Sequence, residues 1–315
     1  MIPLSKMLKM RKQKSAVACD SAADTECTKE NPLECKIHGV KALSKTDEID
    51  KSSHEDLDSL MGMSGNVIEG SKSFKAWKIA KEEYDSACES VDSLTESQKR
   101  SSVGRDVLKQ YIRARRNECE LRDKVSKIAI GEMRKLFNVK DDTESAKKNL
   151  VMGDDRYDAD DILSIGAFVL GLCGKKSKPS HSAVCATTDS MRNGMERDAS
   201  SMYLHGGITA TELAHELGHY IEGANEEVHK RCVDFLERRC KGCDTETVGI
   251  EESEKGRKDK FLDAYMGKDY IDDKGNRYAT EILSMWLQHF VFMPHSMYEK
   301  DKEYFMFGLN VLKGE

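Results

Sequence analysis

The sequence is short of proline and of aromatic side chains, has no strong excess of charge of one sign, and has no apolar run long enough to cross a bilayer. Each shortage removes a class of protein. There are 4 prolines and none lies between Pro32 and Pro179, so nothing interrupts helices across that span. The longest apolar run, Ile162 to Cys173 (ILSIGAFVLGLC), is too short to span a membrane. Net charge is -6 with acids and bases mixed along the chain, so no broad basic face argues for nucleic acid. No apolar stretch follows Lys6, Lys9, Arg11, Lys12 and Lys14, which reads as the lack of a secretory signal. The 10 cysteines are therefore expected as reduced thiols in a cytoplasmic chain, with delivery by a route without a cleavable signal left open.

What is present divides into three stretches. Residues 1–60 are rich in Ser, Lys, Asp and Glu and read as a flexible charged arm. Within it Cys27, Cys35 and His38, with Cys19 upstream, could hold a structural zinc or could be scattered thiols. Residues 61–145 read as helical. Trp77, Ala80, Tyr84, Ala87, Val91 and Leu94 recur at three and four, and a second series runs from Val107 to Leu136. The break near Ser101 to Gly104 suggests a helical hairpin, with a partner-binding coiled coil as the rival. Either form offers a surface to a protein partner.

Residues 146–315 read as one α+β domain. Ile162 to Cys173 is a buried strand or a buried helix, and periodicity leaves both open. Ser182 to Thr188 and Ser200 to His205 read as strands separated by the turn-prone Arg192-Asn193-Gly194. The second strand leads into ITATELAHELGHYIEG, Ile208 to Gly223.

That string holds His215-Glu216-Leu217-Gly218-His219, an HExxH motif. Two histidines four apart lie one turn above each other on one helix face, where both can reach a single zinc ion. The glutamate beside the first is placed to act as a base. Thr209 and Glu212 form a capping box that starts the helix at Ala210, and Gly223 is expected to stop it. Leu213, Leu217 and Ile221 form the apolar stripe that should face the core. Gly218 costs about 1 kcal/mol inside a helix, which suggests that another backbone packs against it.

A catalytic zinc needs a third protein ligand. Glu222 lies seven residues after His215, about 10.5 Å along the axis, too far to join both histidines on one ion. It reads as an outer partner or an exposed carboxylate. Glu281 is the better candidate. It opens the apolar segment Ile282 to Val291, where a lone buried carboxylate carries a desolvation cost of several kcal/mol unless paired or bound to metal. Capping of that helix, or a pair with Arg277, is the alternative.

These residues resemble the HExxH zinc metallopeptidases whose site is completed by a later glutamate, the gluzincins. The resemblance implies a zincin fold with a small sheet over the motif helix. It implies His215, His219 and Glu281 as ligands of Zn2+ and Glu216 as general base, acting on a protein or peptide substrate. The chain departs from the metzincin pattern, since Glu222 and Asn225 stand where that family has Gly and a third His. YATEILSMWLQHF and KDKEYFMFGLNVLKG further resemble segments of HExxH domains carried by phage, mobile-element and toxin-like proteins, over residues 200–313. The string around Cys27, Cys35 and His38 resembles a short signature in some of the same proteins.

The expected function is a zinc-dependent metallopeptidase of that kind. The alternative is a virion or interaction protein that keeps a zincin scaffold without catalysis. Tyr278, read as one helical turn before Glu281 and sharing its face, is the candidate oxyanion donor, with core packing as its equal alternative and His205 and His289 as further candidates. His229, Cys232, Cys240 and Cys243 have ligand-like spacing for a second, structural zinc, against a plain amphipathic helix with buried thiols.

Overall fold

The computed structural model describes residues 51–153, 159–188, 193–205, 208–248, 254–257 and 260–315. The Cys19, Cys27, Cys35 and His38 group lies outside the described residues. The chain mixes helices with small sheets.

The expected arm ends sooner than position 60. Helix α1 spans Lys51–Gly70. Leu57, Met61, Ser64 and Ile68 are buried along it at helical spacing, and that period is what recruits the segment into the fold. It is tied along its length to the C-terminal region, where the Tyr298 hydroxyl donates to Asp58 at 2.5 Å and His295 Nε2 meets Glu69 at 3.0 Å.

The helical hairpin is present. α2 (Lys72–Asp92) and α4 (Ser102–Leu136) flank the one-turn α3 (Glu96–Lys99). They run antiparallel, because Phe74 near the start of α2 packs with Val125 and Ala129 late in α4, whereas Val91 packs with Tyr111. The turn is built by two caps. Thr95 and Gln98 form a capping box, and Ser101 Oγ accepts the Gly104 N–H at 3.1 Å.

α5 (Thr143–Asn149), β1 (Leu150–Met152) and α6 (Ala159–Leu172) follow. The undecided apolar run is thus a helix, buried on most sides from Ile162 to Leu172. The main sheet adds β2 (Ala183–Thr188), β3 (Gly194–Met195) and β4 (Ser201–His205), in the order β1-β2-β4-β3. β1, β2 and β4 are parallel, with Cys185 opposite Met202 and Thr187 opposite Leu204. β3 pairs antiparallel with β4. Ala183, Cys185, Met202 and Leu204 are buried, whereas Val184 and Tyr203 are exposed, so one face of the sheet packs inward.

The motif helix α7 (Ala210–Gly223) lies under that face, followed by α8 (Glu226–Arg239). Two short hairpins come next: β5 (Thr245–Thr247) with β6 (Lys255–Arg257), and β7 (Asp269–Ile271) with β8 (Arg277–Thr280). Helices α9 (Ile282–Phe290), α10 (Pro294–Lys300) and α11 (Lys302–Lys313) complete the chain. One hydrophobic core runs from Leu57 and Met61 through Ile130 and Met133 to the sheet and α7–α11. The seven described cysteines are free. No described helix is long and apolar enough to cross a membrane.

Candidate metal centre

The motif helix begins where the sequence says it should. Thr209 Oγ1 accepts the Glu212 N–H at 3.3 Å, and a Glu212 oxygen accepts the Thr209 N–H at 2.9 Å. A further cap comes from the hairpin: Asp123 Oδ1 accepts the Ala210 N–H at 2.8 Å. An anion at a helix N-terminus is favoured by the exposed amides and the helix dipole. The helix also ends at Gly223, but not by the expected device. Gly223 has no left-handed φ. A Cβ there would lie 2.9 Å from the Ala199 Cβ, so its small size admits a close neighbour. The next helix then starts on Asn225, whose side chain accepts the Val228 N–H at 3.1 Å.

Gly218 has the role its position suggested. The backbone of α9 crosses α7 there, and a Cβ on Gly218 would fall 2.4 Å from the Ser284 Cα. Close crossing brings the start of α9 against the histidine face of α7. Glu281, immediately before α9, is fully buried and makes no capping hydrogen bond. Arg277 does not pair with it either; that guanidinium binds Asp269 at 2.7 Å and Glu237 at 2.8 Å.

Glu281 Oε2 instead faces both histidines. It lies 3.4 Å from His215 Nε2 and 3.3 Å from His219 Nε2. Among the described residues these three form the one group of His, Cys, Asp or Glu side chains close enough to share a metal ion. The carboxylate is held from both sides: the Ser284 hydroxyl donates to Oε2 at 2.7 Å and the Tyr270 hydroxyl donates to Oε1 at 2.5 Å. Donors at about 2.0–2.1 Å from a tetrahedral zinc stand about 3.3–3.4 Å from each other. Both histidine-to-carboxylate distances match that edge, and all three donor atoms lie within 4.8 Å of one another.

Glu216 points from the same helix and is buried, with Oε2 lacking a hydrogen-bond partner among the described residues. Burial pushes its carboxyl up to about 7. Burial likewise pushes His215 down to about 4. Burial opposes charge on His219 too, but the Glu281 charge and hydrogen bond prevail and raise it to about 9. Glu281 itself is kept below the usual carboxylate range, the two imidazoles overcoming its burial.

Glu222 is neither a ligand nor exposed. It is buried and accepts the Thr280 N–H and Thr280 hydroxyl at 3.0 Å, with His229 Nδ1 also at 3.0 Å. It thereby ties the end of α7 to the residue just before Glu281.

Tyr278 is on strand β8, not on a helical turn leading to Glu281. Its ring sits 4.0 Å beneath the Arg197 guanidinium and 5.9 Å from the Tyr270 ring. The phenol that donates to Glu281 Oε1 at 2.5 Å is Tyr270, with Tyr265 also against that carboxylate, and both were missed by sequence reasoning. The signal was Asp272-Asp273-Lys274-Gly275-Asn276, a turn that folds β7 back on β8 and carries a left-handed glycine at Gly275. His205 lies 3.8 Å from Glu212, at the start of α7. His289 is in the last turn of α9.

The second cysteine and histidine set does not assemble. His229 is engaged with Glu222, and Cys232 is fully buried with its thiol pushed up by burial. Cys240 and Cys243 join the hydrophobic core instead.

No family model, curated protein or solved structure matches the chain.

Proposed function

We propose that the protein is a zinc-dependent metallopeptidase in which His215, His219 and Glu281 hold the ion and Glu216 is the general base. The observation that carries this reading is the convergence of three donor side chains within 4.8 Å of one another, beside a buried carboxylate with a free oxygen. A site built only for packing has no use for such a carboxylate.

Zinc, when bound, supplies Lewis acidity that polarises a peptide carbonyl and acidifies water. The chain supplies the rest. Glu216 takes a proton from the attacking water at Oε2 and returns it to the leaving amine. Leu213, Leu217 and Ile221, buried beneath the histidine face, fix the rotation of α7. Tyr270 and Ser284 orient Glu281. Tyr278 and Arg197 form an aromatic and cationic pair next to Tyr270. A zincin fold is part of the same proposal. The phage, mobile-element or toxin setting rests only on the resemblances over residues 200–313 and around Cys27, Cys35 and His38.

The test is metal content per chain, measured by elemental analysis for the wild type and for Glu281→Ala, together with cleavage of a mixed peptide pool. One zinc in the wild type, lost or much weakened in the variant, with metal-dependent cleavage, supports the reading. A folded, metal-replete wild type without zinc overturns it.

A further inference from the structure

Lys268 is the unexplained residue beside the site. It follows the 3-10 turn Ala264–Gly267, precedes β7 and is 3% exposed. A buried ammonium is costly, and an apolar side chain of similar length would fill the space at less cost. Its three donors are all used: Glu254 Oε1 at 2.9 Å, Tyr270 Oη at 3.0 Å and Tyr265 Oη at 3.4 Å. The same residue also holds Glu281 by main chain, its carbonyl accepting the Glu281 N–H at 2.9 Å.

An ammonium has no lone pair and can only donate. With Lys268 donating to Tyr270 Oη, the phenolic hydrogen is directed away from it and onto Glu281 Oε1, 2.5 Å away. The positive charge polarises that phenol, strengthening the bond it donates. Glu281 Oε1 is thereby occupied, and Oε2 is the oxygen left facing His215 and His219.

We propose that Lys268 is a positioning residue for the metal centre: acting through Tyr270, it locks the Glu281 carboxylate in the orientation that presents one oxygen to the ion. The inference rests on the metal reading above. A purely structural role is the rival, with Lys268 serving only to bind Glu254 and anchor the β5–β6 hairpin.

The experiment is a double-mutant cycle on full-length protein, with Co2+ and Zn2+ affinities measured by chelator competition. Visible absorption of the bound Co2+ reports the donor geometry. Loss of an outer partner of a metal ligand costs about 10–100-fold in affinity. Tyr270→Phe and Lys268→Met are each expected to weaken binding by about that factor and to alter the Co2+ spectrum alike. The double variant is expected to be no weaker than the weaker single, because the two act in series. Thermal unfolding of the metal-free variants shows that they fold. If Lys268→Met does not fold, Tyr270→Phe decides, since it leaves the Lys268–Glu254 pair in place. Wild-type affinity in Tyr270→Phe overturns the proposal, as does additivity of the two substitutions. A wild type that binds neither metal overturns the metal reading and this inference with it, whereas binding with unchanged variants overturns this inference alone.

Discussion

Gly218 and Ser284 meet backbone to backbone where α7 and α9 cross, with room for a hydrogen on Gly218 and for nothing larger. Helix propensity alone favours alanine over glycine by about 1 kcal/mol. The crossing reverses that sign. Gly218→Ala is expected to destabilise the metal-free protein by about 1–3 kcal/mol, the usual cost of overpacking. It should also part Glu281 from the histidines and weaken metal binding. Urea unfolding of wild type and variant checks the sign directly; a stabilised variant would refute the close crossing.

Glu216 is expected to matter for turnover and not for metal. Glu216→Gln keeps the shape of the side chain and removes the proton acceptor. Metal content should stay at the wild-type value while peptide cleavage falls by about 10²–10⁴-fold, the contribution typical of a positioned acid–base group. Loss of the metal along with activity would show that Glu216 acts on the site's architecture instead.

Glu222 binds together the end of α7 and the approach to Glu281. Its removal leaves the buried Thr280 N–H and hydroxyl without acceptors, at about 1–3 kcal/mol for each orphaned group. Glu222→Ala is therefore expected to lower unfolding free energy by about 2–4 kcal/mol on that basis. Thr280→Val should cost less, because the backbone bond survives, and the two losses should not add. Chemical denaturation of the two singles and the double decides; additive losses would break the assignment.

Acid sensitivity should arise partly at Asp142. The Lys178 ammonium bonds this carboxylate, and the N–H and hydroxyl of Ser145 also donate to it. Together they hold it down at about 2, against an ordinary value of 3.8. The folded value is the lower one, so the unfolded chain takes up a proton first as pH falls. The contribution of Asp142 is present in full above about pH 4 and lost between about pH 4 and 2. Asp142→Asn should remove that part of the acid dependence and leave a shallower loss of stability over this window. Denaturant midpoints at pH 5, 3 and 2 test it; an unchanged slope would place the acid lability elsewhere.

Much of the motif helix was legible because its signals are local. The capping box of Thr209 and Glu212, the histidine stripe and the Gly218 anomaly all lie within one run of residues. Glu281 was legible by a different logic, as a carboxylate opening a helix too apolar to leave it in water. The outer partners were not. Tyr270 and Lys268 reach Glu281 only because β7 pairs with β8, and which residues face each other across a hairpin depends on register. Tyr278 was misplaced for the same reason, a strand having been read as a helical approach. Gly223 marked the right boundary through the wrong device, since its neighbour Ala199 comes from a distant turn. Short apolar runs such as Ile162 to Cys173 carry no period to read, and only the packing of α6 among neighbours decides them.

The bond from the Ala210 amide to Asp123 has a consequence for how the chain can be divided. All three converging side chains and Glu216, the proposed base, lie after residue 200, which invites excision of the C-terminal part as a portable module. Such a fragment would lose the acceptor at the first turn of its key helix. It would also lose Trp77, whose ring meets Phe292 edge-on at 4.9 Å, and Ile130 and Met133, which fill the shared core. Engineering that transplants the motif is therefore expected to need the long helix Ser102–Leu136 with it. The hairpin and the site share one packed core.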